Sequence, residues 1–337
     1  MKSPVNLRYM TLAQIVGCCL VILGHSFPFI IAYPAGGYKF ISFLYAFHMP
    51  LFVWCSGFLF AYTCQSKCKS FGMYVKQRSI KLLVPYFVLS LVGLAPKIMA
   101  ASLLNDTLEL NGLQIVRAFL VPREGVWGHF WFLPMIYLCV VMGYVIDKIA
   151  KQSLGGWGGI TIIAFVLSFL NSGVLAWLGI NDLLHYFMFY SLGIFCGYIK
   201  MPIVNKYMSI CIIAVCFTIS LILFFCIYDT TSILHLRNTL IAMCMICVIV
   251  HFCLIIENYI GVERNSPIAQ TYQIFILSWP CQLIVGIMIE RILHLSWMIF
   301  IPTVFVAGIT MPLMILKVVN FIENKTNNKI LSSILGR

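Results

Sequence analysis

FLYAFHMPLFVWCSGF, residues 43–58, decides how the whole chain has to be read. One histidine, His48, interrupts an apolar run long enough to cross a bilayer. A second, His25, interrupts the preceding run within LVILGHSFPF, residues 20–29. A neutral imidazole is cheaper in hydrocarbon than a full charge, yet two of them at one depth still need partners or a task. These stretches call for a bundle of apolar helices, and they pose the question of what happens at that depth.

Composition extends the reading to the full length. Of 337 residues, 62% are hydrophobic and 9% charged, whereas a soluble domain carries roughly a quarter charged residues. No soluble interior of this size can hide that much apolar surface, so the expected class is an all-α polytopic membrane protein. Apolar runs fall at 10–32, 40–62, 81–103, 129–147, 158–178, 183–199, 207–228, 238–256, 267–289 and 293–319. Each is close to the ~20 residues that span ~30 Å of hydrocarbon, which gives about ten transmembrane helices. The fifth and sixth are the weakest, parted only by Gly179, Ile180, Asn181 and Asp182.

Charge sets the orientation. With both termini cytoplasmic, sixteen of the 22 lysines and arginines lie on inside segments; Lys39, Lys97, Arg117, Arg123, Arg237 and Arg291 lie outside. That bias is the positive-inside pattern. The net charge of +12 is thus a topology signal, and no nucleic-acid partner is expected, because no soluble basic face is present. The first run is 23 residues long without a small-residue cleavage site, so it reads as a retained helix. Residues 1–337 read as a single integral domain. No internal repeat is visible, which tells against an inverted-repeat carrier. The fourteen cysteines, the Cys244 and Cys247 pair included, lie in spans or at their inner ends and read as reduced packing residues.

A rise of ~1.5 Å per residue puts His25 about 22 Å above Met10 at the inner face, and His48 about 12 Å below Phe40 at the outer face. Both fall in the outer half of a ~30 Å core, where one pocket can hold them. Each could simply bond a carbonyl across a helix interface. Either could also act as a general base, because imidazole titrates near neutrality and can take a proton from an alcohol. No metal is expected, since no Asp or Glu falls mid-span to complete a ligand set.

Three further stretches carry polar chemistry. KSFGMYVKQRSIK, residues 69–81, together with Lys67, gathers Lys67, Lys69, Lys76, Arg78 and Lys81 on the cytoplasmic side. It suits anchoring on anionic lipid or a seat for a polyphosphate group. The lack of a Gly-rich phosphate loop argues against an ATPase. On the outside, GHFWFLP, residues 128–134, brings His129 and Trp131 to the start of the fourth span, just after Arg117, Arg123 and Glu124. That pattern fits an aromatic belt or the rim of a sugar site. IFILSWPCQ, residues 274–282, carries Ser278, Trp279, Pro280 and Gln282. Pro280 frees a carbonyl of the kind that lines cavities in bundles. Ser278 has no Gly-x-Ser-x-Gly elbow, so it suits a substrate contact better than a nucleophile. Gly155, Gly156, Gly158 and Gly159 around Trp157 look like an interfacial turn, and the polar tail NKTNNKILSSILGR like an interfacial helix.

These stretches, in this order, resemble the bacterial acyltransferase-3 superfamily of integral-membrane O-acyltransferases, especially its polysaccharide O-acetylase branch. The likeness rests on the run ending in GHS at His25, FHMPLFVWCSGF around His48, RSIKLLVPY at 78–86 and WFL at 131–133. It continues through YFMFYSLGIFCGY at 186–198 and SPIAQTYQIFILSWPCQ at 266–282. The resemblance implies a bacterial inner-membrane enzyme that moves an acyl group, usually acetyl, from acyl-CoA to a hydroxyl of a glycan or a lipid-linked saccharide. It implies His25 as the catalytic histidine with His48 beside it. It implies Arg78 and Lys81, with Lys76 near them, as contacts of the donor acetyl-CoA. His129, Trp131, Arg117, Arg123 and Ser278 are the candidate acceptor contacts. Two positions depart from the family's habit. Gln14 stands where Arg or Lys is common eleven residues before the histidine. Phe275, Ile276, Leu277 and Ser278 stand where Tyr-Leu-Leu-His is common. The competing reading is a transporter or flippase for a lipid-linked saccharide, which would use the same polar cavity without chemistry.

Overall fold

The computed structural model describes residues 7–27, 34–63, 70–99, 112–150, 153–170, 173, 176–199, 204–227, 231–261, 266–327 and 329–336. Among these residues every regular element is helical. The helices are α1 (Arg8–Gly24), α2 (Ala35–Tyr62), α3 (Phe71–Met99), α4 (Gly112–Leu120), α5 (Phe132–Ile149) and α6 (Leu154–Leu170). They continue with α7 (Ile180–Ile199), α8 (Lys206–Cys226), α9 (Thr231–Ile256), α10 (Thr271–Ile287), α11 (Trp297–Thr326) and the short α12 (Ile330–Ile334).

The chain is a polytopic membrane protein. Among the described residues seven helices, α2, α3, α5, α8, α9, α10 and α11, are long and apolar enough to cross a bilayer, while α1 and α6 are shorter apolar helices. α7 lies on the sixth expected run, so each of the ten runs read from hydropathy meets a helix. Prolines interrupt α2 at Pro50, α10 at Pro280, and α11 at Pro302 and Pro312. Neighbouring helices can re-satisfy a freed carbonyl, so such prolines survive in membrane helices.

Two expectations are corrected. The first helix stops at Gly24, short of residue 32; residues 28–33 lie outside those described, as do Lys67, Lys69, Asn105, Asp106, Glu109 and Asn111. The glycines around Trp157 form the opening turns of α6, not an interfacial turn. Ser153 explains this, because its Oγ accepts from the Gly156 N–H at 3.1 Å and caps the helix. Trp157 is fully buried and its Nε1–H donates to Asp147 at 2.9 Å. The tail is helical as expected, with Glu323 accepting from the backbone N–H and the hydroxyl of Ser332.

The chain divides into two compact units. One holds residues 1–55 and 201–316, the other residues 56–200 and 317–337. In the first, α1 packs on α9 and α10, and α8 lies along α9. Gly17 of α1 leaves room for Leu51 and Phe52 of α2, which a Cβ would meet at 3.2 and 3.3 Å. In the second, α5 packs on α3 and α7, α6 lies along α7, and α12 rests on α3. Gly57 and Gly197 let α2 and α7 meet backbone to backbone, and a Cβ on Gly57 would overlap the Tyr190 carbonyl. Small residues at such crossings are how membrane helices gain packing without a hydrophobic drive between them.

Candidate active site

The first unit contains a helix end that is buried, at Ile22, Gly24 and Ser26. The last four carbonyls of any α-helix lack intrahelical partners, and hydrocarbon supplies none. At the end of α1 each of the four is met. The Val21 carbonyl accepts the His25 N–H at 3.1 Å, and the Leu23 carbonyl accepts the Ser26 N–H at 3.0 Å. The Gly24 carbonyl accepts the Tyr45 hydroxyl at 3.0 Å. The Ile22 carbonyl accepts two donors, the Ser26 hydroxyl at 2.6 Å and the Gln282 amide at 2.8 Å. The chain leaves the helix at His25, which takes φ −90° and ψ 3° and serves as the C-cap. No left-handed glycine is used.

His25 is half-buried. Its ring meets Trp279 of α10 edge-on, with centroids 4.8 Å apart, and lies 6.2 Å from the Tyr45 ring. His48 is buried, and its ring centroid is 5.0 Å from that of Tyr45. The structure therefore brings both predicted histidines around one tyrosine. Gly24 makes this possible, because a Cβ there would stand 2.8 Å from the Tyr45 ring.

The tautomer of His48 follows from its partner. Its Nδ1 lies 2.8 Å from the Leu44 carbonyl. A carbonyl only accepts, so Nδ1 carries the hydrogen and Nε2 presents the lone pair in the neutral ring. Ser278 is buried and donates to the Phe275 carbonyl at 2.9 Å, so its hydroxyl is turned onto its own helix. Tyr45 and Ser26 were not singled out from sequence. For Tyr45 a signal existed, since it precedes His48 by three residues and shares its helix face.

The second unit holds the other candidates. Arg78 of α3 lies over the Tyr74 ring at 5.1 Å, and Tyr74 stacks on Tyr144 with centroids 4.9 Å apart. Lys148 lies 5.7 Å over Tyr144, so two cations flank one aromatic pair. Lys76 and Lys81 are exposed on the same helix.

Near the start of α5, the Arg123 guanidinium stacks over Trp131 at 4.2 Å and donates to one Asp182 oxygen at 2.9 and 2.6 Å. Burial pulls the Arg123 pKa down, but the bonds and charge of Asp182 outweigh it and leave it raised. Trp131 also meets Tyr186 at 5.2 Å. Arg117 forms a two-pronged pair with Glu124, 3.0 Å on each arm, in the exposed connection. His129 is buried and packs on Phe130 at 4.4 Å, so it does not stand on a rim. Asp182, which the sequence offered only as a break between two spans, is the acid that fixes Arg123.

The model of an acyltransferase domain family, acyltransferase 3, matches residues 7–318. No curated protein and no solved structure matches the chain.

Proposed function

Because the chain belongs to the acyltransferase 3 family, and is therefore a membrane acyltransferase, we propose that it moves an acetyl group from acetyl-CoA to a hydroxyl of a cell-envelope polysaccharide or its lipid-linked precursor. The membrane is the bacterial plasma membrane, both termini face the cytoplasm, and residues 1–337 act as one integral domain. The match running through both compact units supports that last point.

The observation that carries the reading is the finished end of α1. The four met carbonyls fix the backbone that carries His25, and its ring lies beside Trp279 and Tyr45. In this reading His25 takes the proton from the acceptor hydroxyl. The alkoxide oxygen attacks the thioester carbonyl, the C–S bond breaks, and the departing CoA sulfur recovers the proton from the imidazolium. His48, with Nδ1 committed to Leu44, offers Nε2 as an acceptor that orients the hydroxyl or His25. Arg78 and Lys81, with Lys76, hold the CoA phosphates, as cations suited to phosphate oxygens do. Trp131 and Arg123 form the acceptor side, with an aromatic face for the sugar and with Arg117 and His129 near them in sequence.

Ester-linked acetate on the envelope glycan tests this. Cells lacking the protein are expected to lose that acetate while exporting glycan in normal amount. Loss of surface glycan itself would replace the enzyme with a carrier, and unchanged acetate would remove this acceptor.

A further inference from the structure

The two donors on the Ile22 carbonyl come from distant parts of the chain, and one of them has no local reason to be there. Ser26 reaches back four residues along its own chain. Gln282 reaches across from α10, donating through Nε2 to the Ile22 carbonyl at 2.8 Å and to the Ser26 Oγ at 2.9 Å. The orientation of this amide is fixed by chemistry, since the Ile22 oxygen can only accept. Its Oε1 is left buried with no hydrogen-bond partner among the described residues. An unmet acceptor is a standing cost, so the amide's place must be set by its donor side.

A third helix is shaped around that contact. Gly308 of α11 faces Gln282 and Ile22 so closely that a Cβ would stand 2.7 Å from Ile22 Cγ2 and 2.8 and 2.9 Å from Gln282 Cγ and Cδ. The Gln282 stem cannot give way, because its head is held by two bonds. One turn before it on α10, Trp279 meets the edge of His25. The same helix therefore grips the backbone just before His25 and the ring of His25 itself.

We infer that Gln282 is a positioning residue for His25, holding the Ile22–Ser26 turn at a fixed place, with Gly308 as the space that lets it do so. This rests on the proposed role of His25. A base displaced by about 1 Å can lose on the order of 100-fold in rate, so removing the grip should act on turnover and not on donor binding.

Purified variants in lipid nanodiscs, given radiolabelled acetyl-CoA and envelope glycan from cells lacking the protein, test the inference. Gln282→Met keeps length and removes both donors. It is expected to lower kcat by about 10- to 100-fold, with the KM for acetyl-CoA within about twofold of the parent. Gly308→Ala is expected to move kcat in the same direction. The decisive arm is the double variant. If Gln282 acts through His25, adding Gln282→Met to His25→Gln costs nothing further, whereas a general packing role multiplies the loss. Gln282→Glu, neutral at this depth, keeps one O–H donor for the Ile22 carbonyl and should recover part of kcat. It also serves as the test variant if Gln282→Met does not insert. Parent-like kcat in Gln282→Met, or further loss in the double variant, overturns the inference. Near-normal transfer by His25→Gln instead overturns the reading beneath it.

Discussion

The end of α1 and the connections of the second unit solve the same problem with different materials. Around His25 the groups are an imidazole, a phenol, a serine hydroxyl and a primary amide, and the bonds that meet the last four carbonyls of α1 are between neutral groups. Around Trp131 and Tyr74 the groups are guanidinium, ammonium and carboxylate, set against rings or against each other. Water makes the difference. A charge at mid-membrane is expensive, so polar chemistry there is built from neutral hydrogen bonds. At the ends of helices cations can stay partly hydrated while their stems lie on apolar surface. The first arrangement can hold an uncharged base ready, and the second can hold an anion.

Breaking the neutral region should have the largest effect. A positioned general base contributes roughly 100- to 10,000-fold, so His25→Gln is expected to lower turnover by at least about 100-fold, with the protein inserted in normal amount. Transfer of labelled acetate per mole of purified protein checks this. His48→Gln should cost less, since His48 supports geometry without carrying the proton. A larger loss in His48 than in His25 would exchange their roles.

The charged region should break differently. Charge-assisted hydrogen bonds contribute ~1.5–3 kcal/mol each. Arg78→Gln with Lys81→Gln is then expected to raise the KM for acetyl-CoA by roughly 30- to 1,000-fold, the two contributions being less than additive. Turnover at saturating donor should change much less. An unchanged KM would return these residues to anchoring on anionic lipid.

The smallest effect belongs to Asp182→Asn. Arg123 keeps 56% of its side chain exposed beside a carboxylate that is 9% exposed. Half-hydrated pairs of this kind contribute about 1 kcal/mol or less, and salt weakens them further. Thermal unfolding in nanodiscs should show a shift of a few degrees at low salt that shrinks at high salt. A large, salt-independent loss would make this corner a structural support comparable to the end of α1.

Sequence reading located the histidines because hydropathy makes a polar residue within an apolar run conspicuous. It missed Tyr45, Ser26 and the donor side of Gln282, because phenols, hydroxyls and amides are common in membrane helices and their partners lie far along the chain. Gln282 and Ile22 are 260 residues apart. Asp182 was visible only as a loop residue, since nothing local tells that a carboxylate meets an arginine 59 positions before it. The glycines around Trp157 misled for a related reason. Local propensity favours a turn there, yet the burial of Trp157 and its bond to Asp147 favour a helix.

What the sequence determined by itself was the class, the apolar runs on which helices fall and the polar residues that interrupt them, because transfer of side chains into hydrocarbon is nearly a local property of each run. Tertiary structure decided which carbonyls at the end of α1 each side chain answers, which tautomer His48 adopts, and why Gly308 must be small. Those outcomes depend on which helices become neighbours, and that is set by packing summed over many residues.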